Sequence, residues 1–242
     1  MRILLLADIH ANLVALETVV RDAGPVDTIW CLGDVVGYGP CPNECCAWVE
    51  EHAAATVVGN HDWAALGRLD LSDFNSAARA ATHWTTAQLT PHAHDWLDGL
   101  PNRYIEGEQT LVHGSPRHPV WEYILRPATA KVNFEYFDTA ICFVGHTHVP
   151  VLYPESLVAH GEALYRPPSG ESIALTGGRY IVNPGSVGQP RDGDPRAAYA
   201  LYDPEARRIA FRRVAYDIAA TQCQMSDARL PAPLIARLGY GM

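Results

Sequence analysis

Ile3-Leu4-Leu5-Leu6-Ala7-Asp8-Ile9-His10 carries five uninterrupted apolar residues straight into an aspartate and a histidine. The run is too short for a membrane span or a signal segment, and its length suits a buried strand. Four further places repeat the arrangement. Thr28 to Leu32 leads into Gly33-Asp34, Thr56 to Val58 into Gly59-Asn60-His61-Asp62, Thr110 to Val112 into His113, and Ile141 to Val144 into Gly145-His146-Thr147-His148. Short apolar runs bounded by Gly or polar turns read as buried strands, and open α/β sheets bind ligands at the carboxyl ends of their strands. The chain therefore gathers two Asp, one Asn and five of its eleven His in one place.

That set is too rich for one ion. A catalytic zinc takes about three protein ligands, whereas a pair of ions roughly 3.5–4 Å apart needs about twice as many. A carboxylate must also bridge the ions to offset their repulsion. Mixed imidazole and carboxylate donors suit Mn, Fe or Zn better than Mg alone. Two such ions would bring a bridging water from about pKa 15.7 toward about 7, supplying hydroxide at neutral pH.

The series D-x-H, G-D, G-N-H-D, a later strand-end His and G-H-T-H resembles the calcineurin-like metallophosphoesterase superfamily. Gly33-Asp-Val-Val-Gly-Tyr-Gly-Pro40, Leu111-Val-His-Gly-Ser-Pro116 and Val182-Asn-Pro-Gly-Ser-Val-Gly-Gln-Pro190 resemble its small bacterial members more narrowly. The resemblance implies one ion on Asp8, His10 and His148, another on Asn60, His113 and His146, and Asp34 between them. It also implies in-line attack of the bridging hydroxide on phosphorus with no covalent intermediate, and that His61 is no ligand but faces the scissile phosphate, to protonate the leaving oxygen or stabilise charge. Asp62 either orients His61 or caps the following helix.

Composition agrees with one soluble enzyme domain over residues 1–242, with 48% apolar residues and no linker-like division. Ile3 to Ala7 as a first strand implies a cytoplasmic protein. The six cysteines fit a reducing compartment, and Cys41, Cys45 and Cys46 read as packing residues because a zinc cluster would need a second matching pair. The net charge is −9, and of 18 basic residues only Lys131 is a lysine. With no basic stripe, a long nucleic-acid partner is not expected, nor is a membrane. A small phosphorylated substrate is expected, and self-association stays open.

Helices are expected from Asn12 as cap to Gly24-Pro25, from Pro42 to His52, from Ser72 or Asp73 onward, and from Pro91. Glu106-Gly-Glu108 reads as a hairpin turn. Runs at Val151–Tyr153, Ser172–Leu175, Tyr180–Val182, Ala197–Tyr202 and Arg208–Val214 read as antiparallel strands of a second sheet. Residues 215–242 read as a peripheral helix and tail. Helices must cover both outer faces, so the fold class is an α/β helix-sheet-sheet-helix sandwich of four layers with two mixed sheets, as the resemblance also implies.

Substrate class is less sharply written. Ser/Thr protein phosphatases of the superfamily continue G-D-x-V-D-R-G, whereas Gly37 and Tyr38 stand here in place of that later Asp and Arg. This favours small phosphodiesters, with a phosphomonoester or nucleoside polyphosphate as the alternative. Arg117 is the candidate to neutralise phosphate, or else it forms a surface ion pair. Tyr38, Trp121 and Tyr123 are candidates to stack an aryl group or base. Asn183 to Arg191 is expected to return near the cleft. A non-catalytic scaffold would be expected to lose His61 or a ligand, and all eight positions are filled.

Overall fold

In the computed structural model, which describes residues 1–242 except for the side chain of Asp73, twelve strands form two mixed six-stranded sheets. The strands are β1 (Ile3–Leu6), β2 (Thr28–Cys31), β3 (Ala55–Thr56), β4 (Arg103–Glu106), β5 (Gln109–Val112), β6 (Ile141–Phe143), β7 (Val151–Pro154), β8 (Leu164–Tyr165), β9 (Ser172–Ala174), β10 (Tyr180–Asn183), β11 (Ala197–Asp203) and β12 (Arg208–Val214). One sheet has the order β3-β2-β1-β11-β12-β9, the other β4-β5-β6-β10-β7-β8. β1, β2 and β3 run parallel, as do β5 and β6, so their carboxyl ends meet at one edge of the sandwich.

The helices are α1 (Leu13–Ala23), α2 (Pro42–His52), α3 (Asn60–Ala65), α4 (Ser76–Gln88), α5 (Pro91–Asp98), α6 (Pro127–Asn133), α7 (Glu155–Val158), α8 (Ile218–Asp227) and α9 (Ala232–Arg237). Strand alternation divides their work. Leu4 and Leu6 pack in one core with Leu16 and Val19 of α1, Val49 of α2 and Leu97 of α5. Ile3, Leu5 and Ala7 pack in a second core with Phe143, Val182 and Tyr202, between the sheets. Cys142, Val144 and Tyr153 turn outward against Ala130 of α6 and Val158 of α7. Strands buried on both faces need apolar residues at both parities, which is why β1 reads as an unbroken run.

Local signals act as expected at most element ends. The Asn12 side chain accepts from the Ala15 N–H at 3.1 Å, and Gly24 closes α1 with a φ of 66°. Pro42 and Pro91 lie in the first turns of α2 and α5. Gly107 turns the β4–β5 hairpin.

Two expectations are corrected. α4 starts at Ser76, where Asn75 accepts from the Ala78 N–H at 2.9 Å; Ser72 lies in a short 3-10 turn before it, and the side chain of Asp73 falls outside the described residues. The strands after His148 do not make a sheet of their own. β9, β11 and β12 extend the first sheet through β1, whereas β7, β8 and β10 complete the second, with β10 parallel to β6. Short apolar runs specify burial but not which neighbour they pair with.

Among the described residues no helix is long and apolar enough to cross a membrane. All six cysteines are unpaired; Cys45 and Cys46 are buried in the α2-side core as packing residues.

Leu5 has no exposed surface and lies between the sheets. Leu5→Ala is expected to lower unfolding stability by about 2–5 kcal/mol. Urea denaturation followed by circular dichroism measures it, and a loss under about 1 kcal/mol would contradict this packing.

Candidate metal centre

The strand ends deliver their side chains to one buried cluster. Asp8 and His10 follow β1, Asp34 follows β2, and Asn60 opens α3 after β3. His113 follows β5, and His146 and His148 follow β6. None of the seven is more than 2% exposed.

Each of the four histidines at the centre has one ring nitrogen against a backbone carbonyl. His10 Nδ1 lies 3.1 Å from Val36 O, His113 Nδ1 2.8 Å from Leu32 O, His148 Nδ1 2.6 Å from Gln189 O, and His146 Nε2 3.1 Å from Trp121 O. A carbonyl only accepts, so each of these nitrogens carries the proton and the other presents a lone pair. The lone pairs then converge. His10 Nε2 and His148 Nε2 are 3.1 Å apart, and His113 Nε2 lies 3.2 Å from His146 Nδ1 and 3.1 Å from Asn60 Oδ1. Facing acceptors repel unless a cation or a proton sits between them.

Asp34 joins the two clusters. Its Oδ1 accepts from the His61 N–H at 2.8 Å, while its Oδ2 is buried without a hydrogen-bond partner, 3.6 Å from His10 Nε2 and 3.3 Å from His113 Nε2. Ligating atoms of Asp8, His10, Asp34 and His148 form one compact group, and those of Asp34, His113 and His146 another. Gly59 permits this closeness, since a Cβ there would stand 2.1 Å from Asp34 Oδ1.

The electrostatics tell the same story. Burial pushes the Asp8 carboxyl up to about 7. Burial acts the same way on Asp34, but His113, His61 and His10 outweigh it and hold that carboxyl well below its ordinary range. Burial opposes a charged His113, yet Asp34 and Asp8 raise it to about 9. Burial drives His10, His146 and His148 down. Such a cluster without a metal holds protons where divalent ions would replace them. An orphaned Asp34 oxygen, oriented imidazoles and adjacent donor groups fit a pair of cations.

Five of these residues sit in the left-handed region: Asp8, His10, Asp34, His146 and His148, with φ of 53°, 49°, 52°, 67° and 59°. Residues with a Cβ rarely adopt it. Asp8 N–H to Gly33 O at 3.1 Å and His10 N–H to Asp34 O at 2.9 Å hold two of them there. The Asn183–Arg191 segment does return to this edge. The Gly188 N–H donates to Asp8 O at 3.0 Å, and a Cβ on Gly188 would meet Ile9 O at 1.9 Å.

Beside the cluster opens a cleft of about 280 Å³ lined by Tyr38, His61, Phe74, Trp121, Arg191 and Arg237, among others. Tyr123 also lines it, stacked on His146 with centroids 3.7 Å apart. His61 packs against Tyr38 at 4.3 Å, its Nδ1 buried and unpartnered, and burial lowers its pKa to about 4. A hollow of about 350 Å³ near Met1, Arg2 and Arg208 gathers no comparable ligand set.

Asp62 and Arg117 each carry two readings, and the geometry matches the second of each, the helix cap and the ion pair. Asp62 does not orient His61: its oxygens accept from the Val36 N–H at 3.0 Å and the Gly59 N–H at 2.8 Å, which caps α3 and ties two loops together. Arg117 is held by Glu122 and does not line the cleft. Glu122 also accepts from Ser115 at 2.7 Å and Asn133 at 2.9 Å, which anchors the loop carrying Trp121 and Tyr123. The cleft's cations are Arg191 and Arg237. Arg191 ends the glycine-rich segment already expected near the cleft, but nothing in the sequence around Arg237 distinguishes it. Residues 215–242 form two helices, α8 and α9; Met225 of α8, Leu234 of α9 and Leu238 just after it pack in one cluster with Tyr38 and Phe74.

A model of the calcineurin-like phosphoesterase superfamily domain matches residues 1–207. The chain is 37% identical over 248 residues to the uncharacterized protein MJ0912 of Methanocaldococcus jannaschii, covering 99% of this chain and 98% of that one. It is similar to the crystal structure of a metallophosphoesterase from Sphaerobacter thermophilus, with a TM-score of 0.94, 56% identity and 100% and 99% of the two chains covered. Its fold is also that of the hypothetical protein PH1004 from Pyrococcus horikoshii OT3, with a TM-score of 0.79, 20% identity and 100% and 98% covered.

After loading with Mn, elemental analysis is expected to find two ions per chain. Asp34→Asn should lower both together, because Asp34 belongs to both donor groups. A single ion at saturation, or selective loss of one in the variant, contradicts a shared Asp34.

Proposed function

The chain belongs to the calcineurin-like phosphoesterase superfamily, and from that premise we propose that it hydrolyses small phosphodiesters with two divalent metal ions. The observation that carries this reading is the pair of donor groups sharing Asp34 at the wall of an aromatic cleft. Asp8, His10 and His148 would hold one ion, Asn60, His113 and His146 the other, and Asp34 both. Bound there, two ions would polarise the phosphoryl group and lower the pKa of a water nucleophile. The donor chemistry favours Mn, Fe or Zn.

The remaining work falls to the protein. Four backbone carbonyls hold the imidazoles in register, and Asp34 is oriented by the His61 N–H. The His61 ring lines the cleft and serves as a hydrogen-bond donor to the departing oxygen. Burial keeps that ring neutral at pH 7, and an anionic phosphate is the partner that would raise its pKa again. Tyr38, Phe74, Trp121 and Tyr123 supply an apolar wall for the second ester group of a diester.

Gly37 and Tyr38 by themselves would leave the cleft without the cation that protein phosphatases carry there. Arg191 and Arg237 supply positive charge from other elements. The diester reading therefore rests on the aromatic wall, and the arginines favour a second reading, a nucleoside polyphosphate hydrolysed at the same centre. Six unpaired thiols support a reducing, cytoplasmic setting.

His61→Ala is expected to keep both metals and lower kcat by roughly 10²–10⁴ on esters with poor leaving groups, and less on aryl esters. Metal loss in this variant would show that the ring is a ligand. For esters of one leaving group, kcat/KM is expected to be higher for the aryl phosphodiester than for the monoester, and Tyr38→Ala should erode that preference through KM. A monoester preference, or rapid turnover of phosphopeptides, overturns the diesterase reading and leaves the metal centre standing.

A further inference from the structure

Among the described residues, neither arginine of the cleft is paired with an acidic side chain. Three other part-buried arginines have such partners, Arg117 in Glu122, Arg179 in Glu155 and Arg213 in Asp192. Arg191 and Arg237 instead flank one ring, each guanidinium carbon 5.6 Å from the centroid of Tyr38. Among the described residues, Arg191 Nη2 donates to Gln189 Oε1 at 2.9 Å, and its Nε is buried with no partner. Arg237 Nε donates to the backbone oxygen of Met242. Burial, together with the charge of Arg191, pushes Arg237 down to about 10.

Folding thus brings two like charges to a part-buried aromatic wall with no acidic side chain paired to either among the described residues, an arrangement that by itself opposes stability. An anion between them would reverse the sign. Both arginines line the cleft together with His61 and Asn60. Two cations match a dianionic phosphate better than a carboxylate, and the guanidinium fork binds phosphate oxygens bidentately. Arg237 lies outside the residues matched by the family model, so its contribution comes from the C-terminal helices and not from the matched domain.

We infer that Arg191 and Arg237 form a subsite for a second phosphate group on the substrate, distinct from the one that is cleaved. This rests on the reading of the cleft as a phosphoesterase site. It deepens that reading by requiring that the preferred substrate carry a further phosphate within reach of Tyr38.

The test compares the 4-nitrophenyl ester of thymidine 5′-phosphate with the same ester bearing a 3′-phosphate. Metal-loaded wild type is expected to favour the 3′-phosphorylated ester by roughly tenfold or more in kcat/KM, mainly through KM. Arg237→Gln and Arg191→Gln should each remove most of that advantage, and Arg237→Lys should keep part of it. Calorimetry with thymidine 3′,5′-bisphosphate and thymidine 5′-phosphate gives a readout independent of turnover, with the bisphosphate advantage lost in the same variants. Circular dichroism checks folding, and should Arg191→Gln fail to fold, the two Arg237 variants decide. Equal handling of the paired ligands by wild type, or an advantage that survives substitution, overturns the subsite. If neither ester is cleaved, the diesterase reading fails while calorimetry still decides the subsite.

Discussion

Four backbone carbonyls, those of Leu32, Val36, Trp121 and Gln189, set the terms on which this cleft exists. A neutral imidazole offers one donor and one acceptor, and which nitrogen does which is ordinarily free to exchange. By taking the donor side of each ring, these carbonyls aim four lone pairs at a common centre. They lie in segments that pass the strand ends, so the sandwich edge supplies both the ligands and the groups that orient them. Asp34 occupies the remaining gap with an oxygen that has no protein partner.

The legibility of the chain follows from this construction. Ligands placed directly after apolar runs announce themselves, because the run marks the strand and the strand end marks the site. Proline and asparagine at helix starts were equally plain, since their signals act within one turn. Less local features were hidden. Ser72, Asp73 and Asn75 are all competent caps, and the choice of Asn75 is not written in the run itself. The carboxylate of Asp62 is spent on the Val36 N–H, far away in sequence, which no motif reveals. The allocation of β9, β11 and β12 to the first sheet depends on pairing partners that short strands do not encode. Arg237 sits in a helix whose sequence carries no pattern pointing to a cleft.

Backbone strain gathers where the ligands are. Five left-handed residues with side chains, each costing of order 1–3 kcal/mol, persist because inter-loop hydrogen bonds such as Asp8 N–H to Gly33 O leave the backbone no alternative. Two sheets buried on both faces provide the stability against which this strain is held. Bound cations would add to it, since anything that binds only the folded state stabilises that state.

The neighbour of β1 in the first sheet is β11, paired Leu4 to Leu201, almost the full length of the chain away. Loop-closure entropy makes such long-range pairings slow to form. During synthesis, β1 to β3 emerge early with one edge of β1 unsatisfied, and that edge waits until residues near 200 have left the ribosome. The loop bearing Asp8 and His10 is braced by the segment just before β11, through the Gly188 N–H to Asp8 O. A nascent chain that stalls before that point displays an apolar strand edge without a finished centre, and exposed edges of that kind are where chains associate wrongly.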